Sequence, residues 1–190
     1  DGARPIAYLW ARTVRCESPN CGAEIPLARS FWLCKKTDRK RALRCTVIRP
    51  KGQPPRIAYE IFEPVTEADV PKGTVSRAKA TCICCSNTLS PDRVRAQLSA
   101  QNGGADVVFD ERGRRASGAT MLTVVTLSPN KAGRSYRLPT GHDYRAVWKA
   151  QSRLREVLAT FREQDDGSPF PIPDEPLPWR NGHRSIQSPR

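Results

Sequence analysis

Acidic residues are scarce in this chain. Across 190 residues, 19 Asp and Glu face 32 Lys and Arg, a formal net charge of +13. The sequence pI is about 9.9. A balance so far to the basic side argues for polyanionic partners, nucleic acid first among them. Histidine is scarcer still: His142 and His183 are the only two, and they have no metal-ligand spacing to each other. A cysteine nucleophile activated by either one would need a local group to orient the pair, and neither has one, so an independent enzyme is disfavoured. No run is long and apolar enough to span a bilayer, so no membrane partner is expected. No leader-like apolar segment opens the sequence, and the cysteine usage fits a reducing cytosol, so the expected location is cytoplasmic. Hydrophobic residues make up only 38%. A chain of this length and composition can build one domain, or one domain with an extended tail, and a metal staple would help its core.

What is present is cysteine, in two close pairs. Cys16 and Cys21 stand in C-E-S-P-N-C-G, and Cys82 and Cys85 in T-C-I-C-C-S. Each pair is a short turn with a thiolate at both ends. Two such turns brought together supply the tetrahedral sulfur coordination of a closed structural zinc site. Pro19 and Gly22 suit the first turn to bending around a metal. Seven cysteines are an odd number, so a fully paired disulfide scaffold leaves one over. Buried, unligated thiols are the other bland reading. The expected ligands are Cys16, Cys21, Cys82 and Cys85. Cys84 lies inside the second pair, and ligation through it is the competing arrangement. Cys85 is preferred because two intervening residues close the usual knuckle. Cys34 and Cys45 stand singly and read as core or surface thiols.

The positive charge is concentrated. Arg29, Lys35, Lys36, Arg39, Lys40, Arg41, Arg44, Arg49, Lys51 and Arg56 fall within one stretch, opposed there only by Asp38. The electrostatic argument makes this stretch, and Arg29 to Arg44 in particular, the expected DNA contact. The plainer reading is a solvated basic face. Phe31 and Trp32 adjoin the patch and have the chemistry to stack on a base, but a strand core suits them better.

Hydrophobic patterning predicts a strand over Ile6–Arg15 entering the first cysteine turn and another over Glu24–Leu33 leaving it. Ala42–Ile48 and Ile57–Phe62 read as two more, separated by the proline-rich linker Arg49 to Arg56. Pro64 to Gly73 reads as a second loop, and Thr74–Thr81 leads into the second cysteine turn. Ser90 caps a short helix over Pro91–Gln101, which Asn102-Gly103-Gly104 would end. Met121–Leu127 and Arg134–Leu138 form an expected hairpin. Thr140 then caps a long helix, with Asp143 near the positive end of its dipole. Tyr144, Val147, Trp148, Leu154, Val157, Leu158 and Phe161 share one helical face and are expected to be core. The tail from Asp165 holds Pro169, Pro171, Pro173, Pro176 and Pro178 and reads as an extended connector. The fold class expected is α+β. Residues 1–139 would form a β-rich zinc-ribbon-like module with a basic insertion at about 29–56, residues 140–164 an amphipathic helix, and residues 165–190 the connector.

These residues resemble a known family. Ile6 to Cys16, Cys21 to Leu27 and Arg29-Ser30-Phe31-Trp32-Leu33 look like the zinc-ribbon segment of large adenine-specific DNA methylases, the DUF1156 type. Further matches follow in order: Ala80-Thr81-Cys82 with Cys85, Val94-Arg95-Ala96-Gln97, Tyr136-Arg137-Leu138-Pro139, and Pro173 to Pro178. The family's second turn usually reads C-P-x-C-G, whereas Cys82-Ile83-Cys84-Cys85-Ser86 stands here. In that family the segment lies between a cofactor-binding glycine-rich motif and a catalytic Asp-Pro-Pro-Tyr type motif. The resemblance therefore implies a piece of an S-adenosylmethionine-dependent enzyme whose other partner is the rest of the methylase polypeptide. Neither motif is found in this chain. Gln53-Pro54-Pro55-Arg56 has no aromatic to stack on a flipped base, and Ser168-Pro169-Phe170-Pro171 lacks the double proline. No catalytic or cofactor-binding residue is therefore assigned. The alternative is a stand-alone zinc-dependent nucleic-acid-binding protein without an enzyme attached.

Overall fold

The computed structural model describes residues 3–101, 108–110, 112–115, 118–129 and 131–164. The Asn102-Gly103-Gly104 stop, His183 and the proline-rich tail lie outside the described residues. The described residues form an α+β fold: ten strands in three antiparallel sheets, with two α-helices. The chain divides into two compact units, Asp1–Trp148 and Lys149–Arg190.

The first sheet has the order β10-β9-β1-β2, built from β1 (Arg4–Arg15), β2 (Glu24–Pro26), β9 (Ala119–Ser128) and β10 (Lys131–Arg137). β9 is its central apolar strand; Met121, Leu122, Thr123, Val124, Val125 and Thr126 are all buried. Strand β1 pairs with β9 over most of its length and, through Thr13, Val14 and Arg15, with β2. The second sheet is β3 (Trp32–Cys34), β4 (Arg41–Ile48) and β5 (Arg56–Phe62), in that order. The third is a small meander of β6 (Val75–Ser76), β7 (Lys79–Thr81) and β8 (Thr88–Leu89).

The expected strand from Glu24 to Leu33 is in fact two strands in different sheets. Pro26 ends the first. Beyond it the backbone turns to a partner of its own: Ala28 N–H donates to Thr74 Oγ1 at 3.0 Å, and the Thr74 hydroxyl donates to the Pro26 carbonyl. Thr74 is 3% exposed, so this polar crossing is satisfied within the protein rather than by water. Phe31, fully buried, anchors the start of the second sheet together with Ala42 and Leu43. Trp32 is half-buried, and Lys35 Nζ lies 5.1 Å from the centre of its ring.

Thr74–Thr81, which leads into the second cysteine turn, is a hairpin, and its tip places Arg77 and Ala78 at φ of 47° and 62°. Both residues lie in the left-handed region without the usual Gly or Asn. The short helix α1 (Pro91–Ala100) forms as predicted, with Arg93 N–H donating to Ser90 Oγ at 3.4 Å.

Helix α2 (Gly141–Gln164) begins in the first unit. Its first turns bury Tyr144, Val147 and Trp148 against Val108, Phe109, Ala119 and Trp10. Tyr144 meets Trp10 edge to face at 5.6 Å and accepts the Met121 N–H at 3.0 Å. Farther along, Leu154 is 48% and Phe161 36% exposed, while Val157 and Leu158 are half-buried.

Asp143 does more than complement the helix dipole. Its side chain is 1% exposed and accepts from Thr140 N–H and Oγ1 at 2.8 and 2.7 Å, which satisfies the helix start. The Arg137 guanidinium grips both carboxylate oxygens at 2.6 and 2.7 Å and holds this carboxyl well below its usual range. The carboxylate's contribution is thus complete above the ordinary value of 3.8 and drains away as pH falls below it. Replacing Asp143 by alanine removes the cap and leaves Arg137 unpaired. The expected cost at neutral pH is about 2–3 kcal/mol, toward the lower end for a buried pair because water reaches Arg137. Urea unfolding of wild type and variant measures it, and the difference should shrink in acid below the carboxylate range.

Candidate metal centre

The first cysteine turn follows β1 directly. Cys16 N–H donates to the Ala23 carbonyl at 2.8 Å and Cys21 N–H to the Ser18 carbonyl at 3.0 Å, which closes the loop. Gly22, at φ +63°, lets the chain leave in the left-handed conformation. The second turn joins β7 to β8. Cys82 N–H donates to the Asn87 carbonyl and Ser86 N–H to the Cys82 carbonyl, both at 2.8 Å. Ser86 has φ 63°, matching Gly22 in the first turn. A non-glycine residue there costs about 1–2 kcal/mol, so this knuckle closes under a strain that Gly22 spares the first.

The two turns bring four sulfurs together. Cys16 Sγ lies 3.5 Å from Cys85 Sγ, and Cys21 Sγ lies 3.7 Å from Cys82 Sγ. All four ligand atoms stand within 4.8 Å of one another. Sulfurs held about 2.3 Å from one ion at tetrahedral angles would be about 3.8 Å apart, so the four can hold a metal ion. None of the cysteines is in a disulfide. Cys84 is buried in the adjoining apolar cluster, and its sulfur is not among the four. Cys34 and Cys45 are half-buried and take no part in the cluster. No histidine joins it among the described residues; His142 is exposed in the first turn of α2.

Electrostatics around the sulfurs are uneven. Burial pushes the Cys16 thiol up to about 12 and Cys82 to about 11. Cys85, exposed and accepting from the Asn87 backbone amide, is lowered to about 7. Cys82 also receives the backbone amides of Cys84 and Cys85, the donors a bound thiolate needs. Without a cation, the buried sulfurs favour their protonated form. A divalent ion would reverse that preference and hold all four as thiolates.

Other elements close around the cluster. Val14, Ile25, Ala80, Leu89 and Val94 pack with the cysteines, and Val47 and Ile57 reach over from the β4–β5 hairpin. From the loop of that hairpin, Arg49 Nη2 donates to the Cys84 carbonyl at 2.5 Å. Helix α1 locks the first turn. Gln97 accepts from Arg15 N–H at 2.7 Å and donates to the Arg15 carbonyl at 3.0 Å, acting as a strand neighbour on the edge of β1. Arg93 forks onto Glu17, inside the first cysteine turn, at 2.8–3.1 Å. Neither Gln97 nor Arg49 was singled out as supporting the site from sequence. Only contacts from distant segments reveal these roles.

The basic stretch proves less unopposed than its sequence implied. Glu60, Glu63 and Glu67, from β5 and the loop after it, sit beside it. Arg44 pairs with Glu60 at 3.0 Å, Arg41 with Glu63 at 2.7 Å, Lys35 with Glu67 at 3.1 Å and Arg39 with Asp38 at 3.0 Å. These pairs are largely exposed and therefore weak, so the groups can exchange partners at little cost. Arg29, Lys36, Lys51 and Arg56 are exposed and have no acidic partner among the described residues. Lys40 donates to the Val65 carbonyl at 3.1 Å. Among the described residues, no helix is long and apolar enough to cross a membrane. No family model matches this chain, and no curated protein or solved structure matches it.

Proposed function

We propose that the chain is a zinc-stapled, DNA-contacting segment of an adenine-specific DNA methylase, one that contributes contact or scaffold and holds no active site of its own. The convergence of the Cys16, Cys21, Cys82 and Cys85 sulfurs carries the zinc part of this reading. Four thiolates with no open position suit a structural ion rather than a catalytic one. The charge of +13 and the exposed cations from Arg29 to Arg44 support DNA as the partner. The methylase part rests on the resemblance of the cysteine turns and their flanking segments. In such an enzyme the segment would stand between cofactor binding and catalysis, near the DNA, with the rest of the polypeptide as its other partner.

Zinc in this reading supplies no chemistry beyond holding two turns together. Its loss should loosen the β4–β5 hairpin, whose loop is tied to the second turn through Arg49. Duplex binding by the full chain should accordingly vanish on treatment with a strong chelator and return on reloading with zinc, as read by gel shift. The chain alone should give no heat with S-adenosylmethionine in calorimetry. DNA binding that survives complete metal removal would break the link between the two halves of the proposal. Micromolar cofactor binding would show an active site in the chain itself.

A further inference from the structure

A cleft of about 620 Å³ opens between the β3–β4 region and β10, lined in part by Cys34, Lys36, Arg39, Arg41, Arg134 and Tyr136. Four of these six are cations, and they come from segments nearly a hundred residues apart in sequence. Among the described residues, no carboxylate lines the cleft. Asp38 and Glu63 engage Arg39 and Arg41 from positions 68% and 65% exposed. Lys36 and Arg134 are exposed and have no acidic partner among the described residues. The two walls touch closely: a Cβ on Gly133 would lie 1.9 Å from Arg39 Nη1, so the guanidinium rests on bare backbone at the start of β10. Tyr136 donates to the Leu33 carbonyl at 3.2 Å and fixes β10 against β3.

Like charges gathered in a concave site repel each other and focus a positive potential into it. A phosphate group is the complementary occupant: guanidinium forks match its oxygens, and Lys36 adds a point charge. We propose that this cleft seats a backbone phosphate of duplex DNA, with Arg134 completing a site that the basic stretch from Arg29 to Arg44 only half supplies. This deepens the DNA-contact reading above and rests on it. The cleft fixes where along that face the backbone lies, and it places β10 in the interface.

Binding of a short mixed-sequence duplex to the full chain, measured at several salt concentrations, tests the assignment. Arg134→Gln and Lys36→Gln should each weaken binding by about three- to tenfold and reduce the slope of log affinity against log salt by about 1. Bound duplex should also slow alkylation of Cys34 by iodoacetamide, followed by peptide mass. Suppose the double variant Lys35→Gln/Arg44→Gln, outside the cleft, weakens binding while Arg134→Gln and Cys34 reactivity do not change. The DNA-contact reading then stands and the cleft assignment is overturned. Wild-type protein that ignores duplex at low salt overturns both. Shielding of Cys34 by inorganic phosphate but not by duplex would make the site one for a free anion and would also overturn the assignment.

Discussion

Serine in place of any one of Cys16, Cys21, Cys82 or Cys85 is expected to strip the metal and unfold the β-rich unit. The four sulfurs hold together two turns that are 61 and 69 residues apart across their closest contacts. Structural zinc contributes about 10–16 kcal/mol in small sites, against a total stability of about 5–15 kcal/mol for an ordinary domain. Loss of one ligand therefore removes much of what keeps the fold. Circular dichroism melting and metal content, measured together, should show both losses in the same variants. Cys34→Ser should be mild. Cys84→Ser should fall between, at about 1–2 kcal/mol for a buried hydroxyl. Should Cys84→Ser prove worse than Cys85→Ser, the fourth ligand is Cys84. Metal affinity should fall as pH is lowered, because protons compete for the sulfurs, most strongly at Cys16 and Cys82, whose thiols burial pushes up to about 12 and about 11.

Neutralising the basic face should have the next largest effect. With Lys35, Lys36, Arg39, Lys40 and Arg41 replaced together by glutamine, duplex affinity should drop at least about 100-fold near 0.1 M salt. The slope of log affinity against log salt should fall by up to about 4.5 if all five neutralise a phosphate. The loss should be the same for unrelated sequences, since phosphate contacts carry no sequence information. Fluorescence anisotropy over a salt series reads both quantities. Unchanged affinity would assign the face to docking on a protein neighbour. The fold should survive the change, because the ion pairs it breaks are exposed and weak.

The cysteine turns were legible because each is a local feature, set by spacing and by residues such as Gly22 that permit the turn. The strands over Arg4–Arg15, Arg41–Ile48 and Arg56–Phe62 were legible for the same reason: each is a run of strand-forming residues bounded by loop-forming ones. What sequence could not give is long-range. Pro26 reads as a tolerable end to a strand, but only the Thr74 hydroxyl, 48 residues away, makes the crossing between sheets affordable. Arg77 and Ala78 have no preference for the left-handed tip they occupy; the pairing of β6 with β7 imposes it. The basic stretch looked unopposed because Glu60, Glu63 and Glu67 reach it only once β5 folds back on β4. Arg134 was invisible as part of that face until β10 came alongside. Along α2 the apolar spacing continues past Trp148, but spacing alone does not set the degree of burial: Val157 and Leu158 are half-buried, Leu154 and Phe161 exposed.

The metal-to-protein ratio of the purified chain, with X-ray absorption of the bound ion, bears most directly on the account. One zinc per chain, with four sulfur neighbours at about 2.3 Å, is the result expected. No zinc, or disulfides joining the same cysteines, would contradict it.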